Sequence, residues 1–288
     1  MTSNTFFTEL VRQVDQHASK SIKDIDNAIL KWITITGGEN VRISKITPLF
    51  CEKMVWEMDS KGISLGSRRT YLTRLSTLLH KAIGDKAPNL RTYIPTTQRS
   101  RKTPLTKEDV SSLLETRCRH ESTKRAFLFS LNTGLRFSDV ATLRWGNIIG
   151  KQNTWFIYKR MKKTGMILTT EINRNAYEIL RKEAYDQHTN IYRACADDLV
   201  FQNLMSYNTI REDLLGWAYT AKVSIPHMTF HVARHTFASV LCASSIPLTT
   251  ISHLLGHTSI QTTETYLHSF ASDEHIAITL LNAFGSKS

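Results

Sequence analysis

The chain has 288 residues, enough for one large domain or two ordinary ones, and 41% of them are hydrophobic, which excludes a disordered chain. No run approaches the roughly 18 apolar residues that span a membrane, and the polar start does not resemble a signal peptide. The 4 cysteines are scattered without a C-x-x-C pair, so neither a disulfide framework nor a zinc ribbon is indicated. We expect a reduced cytoplasmic protein with no membrane partner.

The charge of the chain is strongly basic and unevenly distributed. The formal net charge is +12, and residues 1–103 carry 17 Lys+Arg and 9 Asp+Glu, against 20 and 16 in the remainder. A basic excess of this size is typical of proteins that bind a polyanion, because each neutralised phosphate releases counterions. Charge alone does not distinguish a nucleic-acid-binding protein from a soluble protein that happens to be basic.

A joint between two domains is predicted at Pro95–Pro104, "PTTQRSRKTP", which is polar throughout and lies between two prolines. The charge balance changes across it, which favours a linker over an ordinary surface loop. We predict a basic helical domain over residues 1–95, a basic linker over 96–103 and a second domain over 104–288. With only 12 Gly and 6 Pro, the chain should be mostly helical.

Three amphipathic segments predict helices in the first domain. They are Ile22–Ile33, Pro48–Met58 and "RRTYLTRLSTLLHKAI", for which Ser67 is the predicted N-cap. Arginines in the first turn of a helix oppose its dipole, so an external anion would relieve them. The candidate DNA contacts are therefore basic residues of this helix and of the linker: Arg68, Arg69, Arg74, Arg99, Arg101 and Lys102. A solvated helix face is the alternative.

The second domain has the pattern of an α+β fold with a small antiparallel sheet. Predicted helices cover Thr106–Leu114 and Thr123–Asn132, the second ending at Gly134. Two segments rich in β-branched and aromatic residues, Asn153–Lys159 and Met166–Ile172, predict a hairpin around "RMKKTG". A brief strand at Leu199–Phe201 and helices from Asn208 onward complete the prediction.

A cluster of polar residues lies in "MTFHVARHTFASVL". His231 and Arg234 are three residues apart and share a helix face, and His235 lies one turn from His231. The N-terminal end of a helix favours a phosphate through its backbone N–H groups and dipole. The next helix should stop at Gly256 in a left-handed cap, which would direct His257 away from the helix end.

A metal site is one alternative interpretation of these histidines. His231 and His235 have i, i+4 spacing, but the Glu of H-E-x-x-H is missing. Between Phe230 and Tyr266 the only acidic residue is Glu264, whereas a two-metal nuclease needs several carboxylates. We expect no metal and no other cofactor. A structural role for each histidine stays open.

Two further cations fit a metal-free reaction at a phosphodiester. Arg136 follows the helix that ends at Gly134, and Ser138 is the predicted cap of the next helix. Lys163 lies at the predicted hairpin tip, where an ammonium can reach into a cleft. Cleavage without metal requires a nucleophile such as Tyr266, guanidiniums that offset charge on phosphorus, and an acid for the leaving oxygen.

The sequence resembles the tyrosine recombinase, or phage integrase, family. The segments "TGLRFSDVATL", "HVARHTFAS" and "LGHTSIQTTETYLH" are similar to its first arginine motif, its H-x-x-R helix and its histidine-to-tyrosine segment, in the family's order. The likeness runs from about Thr103 to His268, and the first domain resembles the family's helical core-binding domain. The resemblance implies the tyrosine recombinase fold, in the short two-domain form of Xer-like recombinases and mobile-element integrases.

The resemblance also implies a role for each residue. Tyr266 would attack a DNA phosphate, form a 3′-phosphotyrosyl link and release a 5′-hydroxyl. Arg136 and Arg234 would bind the non-bridging oxygens, and Lys163 would protonate the leaving oxygen. His231 would be the general base or proton shuttle of the tyrosine. His257 would hydrogen-bond the phosphate or the transition state.

Two departures from the family pattern bear on the site. Asp139 stands where the family most often has Glu, a shorter carboxylate that supports the site. The second hairpin strand lacks the usual "PL" ending, so Lys162 competes with Lys163 for the lysine role. The tail after Tyr266, "SFASDEHIAITLLNAFG", has helical apolar spacing. It would pack on its own domain or, as in the family, dock on a neighbouring protomer of a homo-tetramer on two double-stranded DNA sites.

The expected function is site-specific DNA recombination without metal or ATP: integration, excision, inversion or dimer resolution, at the nucleoid. The alternative is a DNA-binding accessory or regulatory protein that keeps the recombinase fold, and a metal-dependent hydrolase is third. The complete set of six residues argues against an accessory protein, because a binding module does not need the tyrosine. The target DNA sequence and the need for accessory proteins lie outside what this chain specifies.

Overall fold

The computed structural model describes residues 5–14, 19–96, 103–151, 154–186, 191–192, 195–225 and 227–267. The chain divides into two compact units, Met1–Ser100 and Arg101–Ser288. This division falls inside the segment expected to be a linker. The linker residues Arg99, Arg101 and Lys102 lie outside the described residues, as does the tail from residue 268 onward.

The amino-terminal unit is helical throughout its described core. Its helices are α1 Phe7–Val14, α2 Lys20–Gly37, α3 Pro48–Ser60 and α4 Leu65–Ile83. Each helix buries one apolar face, and the four faces meet in one cluster that includes Leu10, Trp32, Met54 and Leu72. The predicted helices Ile22–Ile33 and Pro48–Met58 are confirmed within α2 and α3. The short α1 was not predicted.

The predicted N-cap of α4 is wrong. Ser64, not Ser67, is the N-cap: the Ser67 N–H donates to Ser64 Oγ at 3.2 Å, and the helix begins at Leu65. Both serines carry a suitable hydroxyl, and the sequence between them has no apolar period that would separate the two starts. Arg68 and Arg69 therefore lie one turn further into the helix than expected, where the dipole affects their charges less.

The carboxy-terminal unit combines helices with a three-stranded sheet. Its helices are α5 Lys107–Glu115, α6 Glu121–Thr133, α7 Phe137–Val140, α8 Arg174–Ala184, α9 Tyr207–Thr220, α10 Phe230–Ala243, α11 Leu248–Leu254 and α12 Gln261–Leu267. Its strands are β1 Ile148–Lys151, β2 Thr154–Arg160, β3 Ile167–Glu171, β4 Tyr185–Asp186 and β5 Ile191–Tyr192. The expected mostly helical fold with a small antiparallel sheet is confirmed.

Helix α6 lies at the centre of this unit and is buried along its last two turns. It packs against α10 and α8, and the Phe127 ring meets the rings of Trp217 and Phe230 edge-on, both at 5.7 Å between centroids. The helix ends at Gly134, which has a φ of 69°, as the sequence predicts. In the described part of the chain no helix is long and apolar enough to cross a membrane.

The sheet has the order β1-β2-β3 and is antiparallel throughout. The predicted hairpin is formed by β2 and β3, with Lys159 opposite Leu168. Alternation along β2 turns Ile157, Lys159 and then Met161 toward the core, where all three are buried. The strand expected at Leu199–Phe201 is reduced to a single bridge between Leu199 and Arg144.

Candidate active site

A buried arginine forms the centre of the site. Arg234 lies in the second turn of α10 and is 2% exposed. Its Nη1 donates to the Gly134 carbonyl oxygen at 2.8 Å, and its Nη2 donates to the Leu255 carbonyl oxygen at 2.6 Å. Nη2 also lies 2.8 Å from His257 Nε2. The guanidinium therefore joins the end of α6, the end of α11 and His257.

The contact with Arg234 determines which nitrogen of His257 carries the proton. An arginine can only donate, so His257 Nε2 accepts, and Nδ1 must be the protonated nitrogen. Nδ1 then donates to Thr263 Oγ1, 2.8 Å away in the first turn of α12. Burial, together with the charges of Arg234, Arg136 and Lys163, lowers the pKa of His257 to about 4. His257 is therefore neutral at pH 7.

Two glycines shape the turns around this arginine. Gly134 has a φ of 69°, and a Cβ there would lie 2.5 Å from Phe237 Cδ1. Only glycine can therefore bring this carbonyl up to Arg234. Gly256, with a φ of 59°, ends α11 as predicted, and a Cβ on it would lie 3.3 Å from Met161 Cγ. The turn before His257 thus packs closely on Met161, the first residue of the β2–β3 turn.

Arg136 brings a second guanidinium to the site. It is half-buried and precedes α7 as its N-cap residue, so the predicted capping of this helix by Ser138 is wrong. Ser138 lies inside α7, because the chain turns into the helix two residues earlier than the hydroxyl suggested. Arg136 Nη1 is buried and has no hydrogen-bond partner among the described residues. A buried donor without an acceptor is costly, so this atom is suited to an external anion.

The β2–β3 turn presents two exposed lysines, Lys162 and Lys163. The buried carboxylate of Asp139 accepts the backbone N–H of Lys162 at 2.7 Å through Oδ1. Lys163 is the lysine of this turn whose charge acts on His257. The turn thus places one ammonium toward the arginine–histidine cluster.

The remaining predicted residues lie on α10 and α12. His231 is exposed in the first turn of α10, whereas His235 is buried and its Nδ1 lies 3.3 Å from Ser239 Oγ. Tyr266 lies in α12, one turn after Thr263, and its side chain is outside the described atoms. In the residues that the structure describes, no three His, Cys, Asp or Glu are grouped as for a metal ion.

Two contributors were missed by the sequence reasoning. Thr263 is fully buried and holds the ring of His257, but a threonine in a Thr-rich segment has no distinguishing signal. Lys159 is buried on the core-facing side of β2. It could have been found, because the alternation of β2 puts it on the same face as Ile157.

The three described arginines proposed as DNA contacts all have partners within their own unit. Arg68 forms an ion pair with Asp59 at 2.9 Å, and Arg69 donates to the Pro95 carbonyl oxygen at 3.0 Å. Arg74 binds the buried carboxylate of Asp26 through two hydrogen bonds of 2.8 and 2.9 Å. The charge of Arg74 is thus largely neutralised, whereas Arg69 is exposed.

Comparisons with known proteins identify the family of this chain. The profile of the phage integrase family matches residues 103–273, more than half of the chain. The integrase of Salmonella phage P22 is 25% identical over 217 residues, covering 72% of this chain and 55% of that protein. The tyrosine recombinase XerD of Neisseria meningitidis is 25% identical over 269 residues, covering 90% of this chain and 83% of that protein. This chain thus spans about half the length of the phage P22 integrase.

The fold is similar to that of a lambda integrase tetramer bound to a Holliday junction. The TM-score is 0.68 at 16% identity, and the alignment covers 99% of this chain and 80% of that chain. At this level of identity the similarity concerns the fold alone.

Proposed function

The chain belongs to the phage integrase family, and from this premise we propose that it is a tyrosine-type site-specific DNA recombinase. It would cut and rejoin DNA strands through a covalent 3′-phosphotyrosyl intermediate, without metal or another cofactor. Its partner would be double-stranded DNA, and it would work at the nucleoid in the bacterial cytoplasm.

The observation that supports this proposal most strongly is the cluster of positive charge around His257. Arg234, Arg136 and Lys163 all act on this histidine. Arg234 donates to the carbonyl oxygens of Gly134 and Leu255, and Arg136 Nη1 has no acceptor in the described residues. A phosphate at this place would supply the missing acceptor and balance the charge. Guanidiniums arranged in advance around a phosphate also stabilise the charge of its transition state.

The residues would then divide the reaction as follows. Tyr266 Oη attacks the phosphorus while the bond to the 5′-oxygen breaks, and His231 takes the tyrosine proton. Lys163 gives a proton to the departing 5′-oxygen. The energy of the broken bond is kept in the phosphotyrosyl ester, so the strand can be rejoined by the reverse reaction.

His257 would have a positioning role in the ground state of this site. Both ring nitrogens are engaged, one with Arg234 and the other with Thr263. The ring therefore links the phosphate-binding arginine to the helix that contains Tyr266. A direct bond from His257 to the phosphate would require the ring to give up the hydrogen bond at Nε2.

We propose that Arg68, Arg69 and Arg74 of the amino-terminal unit, together with Arg99, Arg101 and Lys102, contact the DNA backbone. Among the described three, Arg68 and Arg69 are better suited than Arg74, whose guanidinium already binds Asp26 on two sides. A lambda integrase tetramer binds a Holliday junction. By analogy, this chain would form a homo-tetramer on two DNA sites, joined through the tail that follows Tyr266.

The test of this function is trapping of the covalent intermediate. A pool of random-sequence duplexes is first incubated with the protein in EDTA, and the DNA that becomes covalently linked is sequenced to define the site. A duplex with this site is then nicked close to the cleavage position, so that the short 5′-hydroxyl fragment diffuses away and the adduct accumulates. We expect a denaturation-resistant protein–DNA adduct.

The matched control is Tyr266→Phe, which should abolish the adduct and leave DNA binding intact. Binding without an adduct in the wild-type protein would favour the accessory protein. Activity that EDTA abolishes and zinc restores would favour the metal-dependent hydrolase. An unchanged adduct in Tyr266→Phe would assign the nucleophile to another residue.

A further inference from the structure

Lys159 places an ammonium group on the buried face of β2, where an apolar side chain would be expected. It lies on β2 and is 8% exposed. It is on the same buried side as Ile157 of the strand and Met161, which directly follows the strand. Burial lowers the pKa of Lys159, since an ammonium loses its hydration there. A lysine in such a position is retained only where hydrogen bonds and an opposite charge compensate it.

The compensation comes from the segment that follows Arg136. Lys159 Nζ donates to the Thr142 carbonyl oxygen at 2.7 Å. The negative charge of Asp139 favours the ammonium form and so raises the pKa of Lys159. Asp139 is itself fully buried, and its Oδ2 has no hydrogen-bond partner within the described ranges. Lys159 is therefore the buried counter-charge of Asp139.

Two hydrogen bonds thus join the hairpin to the stretch of chain that runs from α7 to Thr142. One runs from Lys159 to Thr142, and the other from the Lys162 N–H to Asp139 Oδ1 at 2.7 Å. Between them the turn is closed by backbone hydrogen bonds, including one of 2.8 Å from the Met161 N–H to the Met166 carbonyl oxygen. A single link would let the turn pivot, whereas two links fix both its position and its direction. Lys163 is the next residue of that turn.

We propose that Lys159 is a positioning residue for Lys163: through Thr142 and Asp139 it holds the hairpin so that the Lys163 ammonium meets the leaving 5′-oxygen. This inference rests on the proposed recombinase function. Lys159 itself does not touch the DNA.

The chemistry of the leaving group separates this role from a general structural role. In the cleavage step the Tyr266 Oη–P bond forms, the P–O5′ bond breaks, and the electron pair on O5′ takes a proton from Lys163. A general acid contributes about 10²- to 10⁴-fold, and a displacement of about 1 Å can cost about 10²-fold. A sulfur in place of O5′ leaves as a thiolate and needs no proton, since thiols ionise near pH 8.5.

The experiment compares two versions of the nicked duplex defined above, one with O5′ and one with a bridging 5′ sulfur at the cleaved phosphate. Adduct formation by Lys159→Met should fall about 10- to 100-fold on the oxygen duplex and stay within about threefold of the wild-type rate on the sulfur duplex. A fraction of misfolded protein lowers both rates equally and leaves their ratio unchanged. An unchanged ratio would therefore overturn the proposal.

Three further variants complete the test. Lys151→Met, an exposed lysine on β1 of the same sheet, should leave both rates at the wild-type level. In a Lys163→Ala background, Lys159→Met should have no further effect, because the group that it positions is gone; a second loss of equal size would contradict the inference. If the Met variant does not fold, Lys159→Gln provides the same ratio. A wild-type protein that forms no adduct on either duplex would contradict the recombinase function rather than this inference.

Discussion

Each unit of the protein has an arginine that binds buried groups, and the two arginines differ in their partners. In the amino-terminal unit Arg74 binds the carboxylate of Asp26 with two hydrogen bonds, so the pair is neutral. In the carboxy-terminal unit Arg234 donates to two carbonyl oxygens and contacts a neutral histidine. Removal of one partner from such an ion pair leaves the other charge uncompensated. A guanidinium that donates to neutral carbonyl oxygens can still attract an anion from outside.

This comparison predicts that the largest loss of activity follows removal of the Arg234 charge. Arg234→Gln should lower the rate of adduct formation on the nicked duplex about 10³-fold or more, because a preorganised donor to the transition state is lost. Arg234→Lys keeps the positive charge but loses the paired Nη1 and Nη2 donors of the guanidinium. Its rate of adduct formation should therefore still fall about 10²-fold. The rates are measured with DNA in excess over its dissociation constant, so that binding does not limit them.

The control for this prediction is the extent of folding, measured by hydrogen exchange of peptides from α6 and α10. A rate within about tenfold of the wild type in Arg234→Gln would contradict the proposed role, since a phosphate-binding guanidinium is worth more than that.

The Arg74–Asp26 pair should respond in stability, and its loss should be repairable. Arg74→Met leaves the Asp26 carboxylate, whose side chain is 2% exposed, without its partner. We expect the free energy of unfolding of the amino-terminal unit to fall by about 3 kcal/mol. The double variant Asp26→Leu, Arg74→Met replaces the pair by apolar groups and should recover most of this loss. Hydrogen exchange of peptides from α2 and α4 measures both.

Failure of the double variant to recover would mean that Arg74 does more than neutralise Asp26, for example by packing its aliphatic stem. No such repair is expected for Arg234. Arg234 donates to the carbonyl oxygens of Gly134 and Leu255, and removal of the guanidinium takes this donor from both.

Much of this architecture could be predicted from the sequence, and the exceptions have physical reasons. Long amphipathic segments, the left-handed caps at Gly134 and Gly256 and the β2–β3 hairpin depend on local periodicity and backbone freedom, which the sequence contains. The start of α4 was misplaced because Ser64 and Ser67 have the same capping chemistry. Likewise, Arg136 rather than Ser138 precedes α7.

The contacts that assemble the site could not be predicted from local sequence patterns. The bond from Arg234 to the Gly134 carbonyl oxygen joins positions 100 residues apart, and Thr263 became part of the site only through the approach of α12 to α11. Asp139 was expected to support the site, but its acceptance of the Lys162 N–H required the hairpin to fold against α7. The identity of the polar residues was predictable, whereas their hydrogen-bond partners required the tertiary structure.

The smallest expected effect concerns His257, the neutral partner of Arg234, and is measured by the pH dependence of stability. The folded protein lowers the pKa of His257 from 6.5 to about 4, so between these values the unfolded chain binds a proton that the folded chain does not. Stability therefore rises with pH from about 4 to 6.5 and is unaffected by this group above 6.5. At pH 5 the folded protein should be less stable than at pH 7 by about 2 kcal/mol on account of His257.

The measurement is the urea-induced unfolding of the carboxy-terminal unit at several pH values, in the wild type and in His257→Gln. All other titrating groups are common to the two proteins, so the difference between the two curves isolates the histidine. The variant should lose less stability than the wild type on acidification, and curves that run parallel would contradict the assigned neutral state. Protonation forces His257 Nε2 to become a donor facing the Arg234 guanidinium. Acidification should therefore weaken the contact between Arg234 and His257.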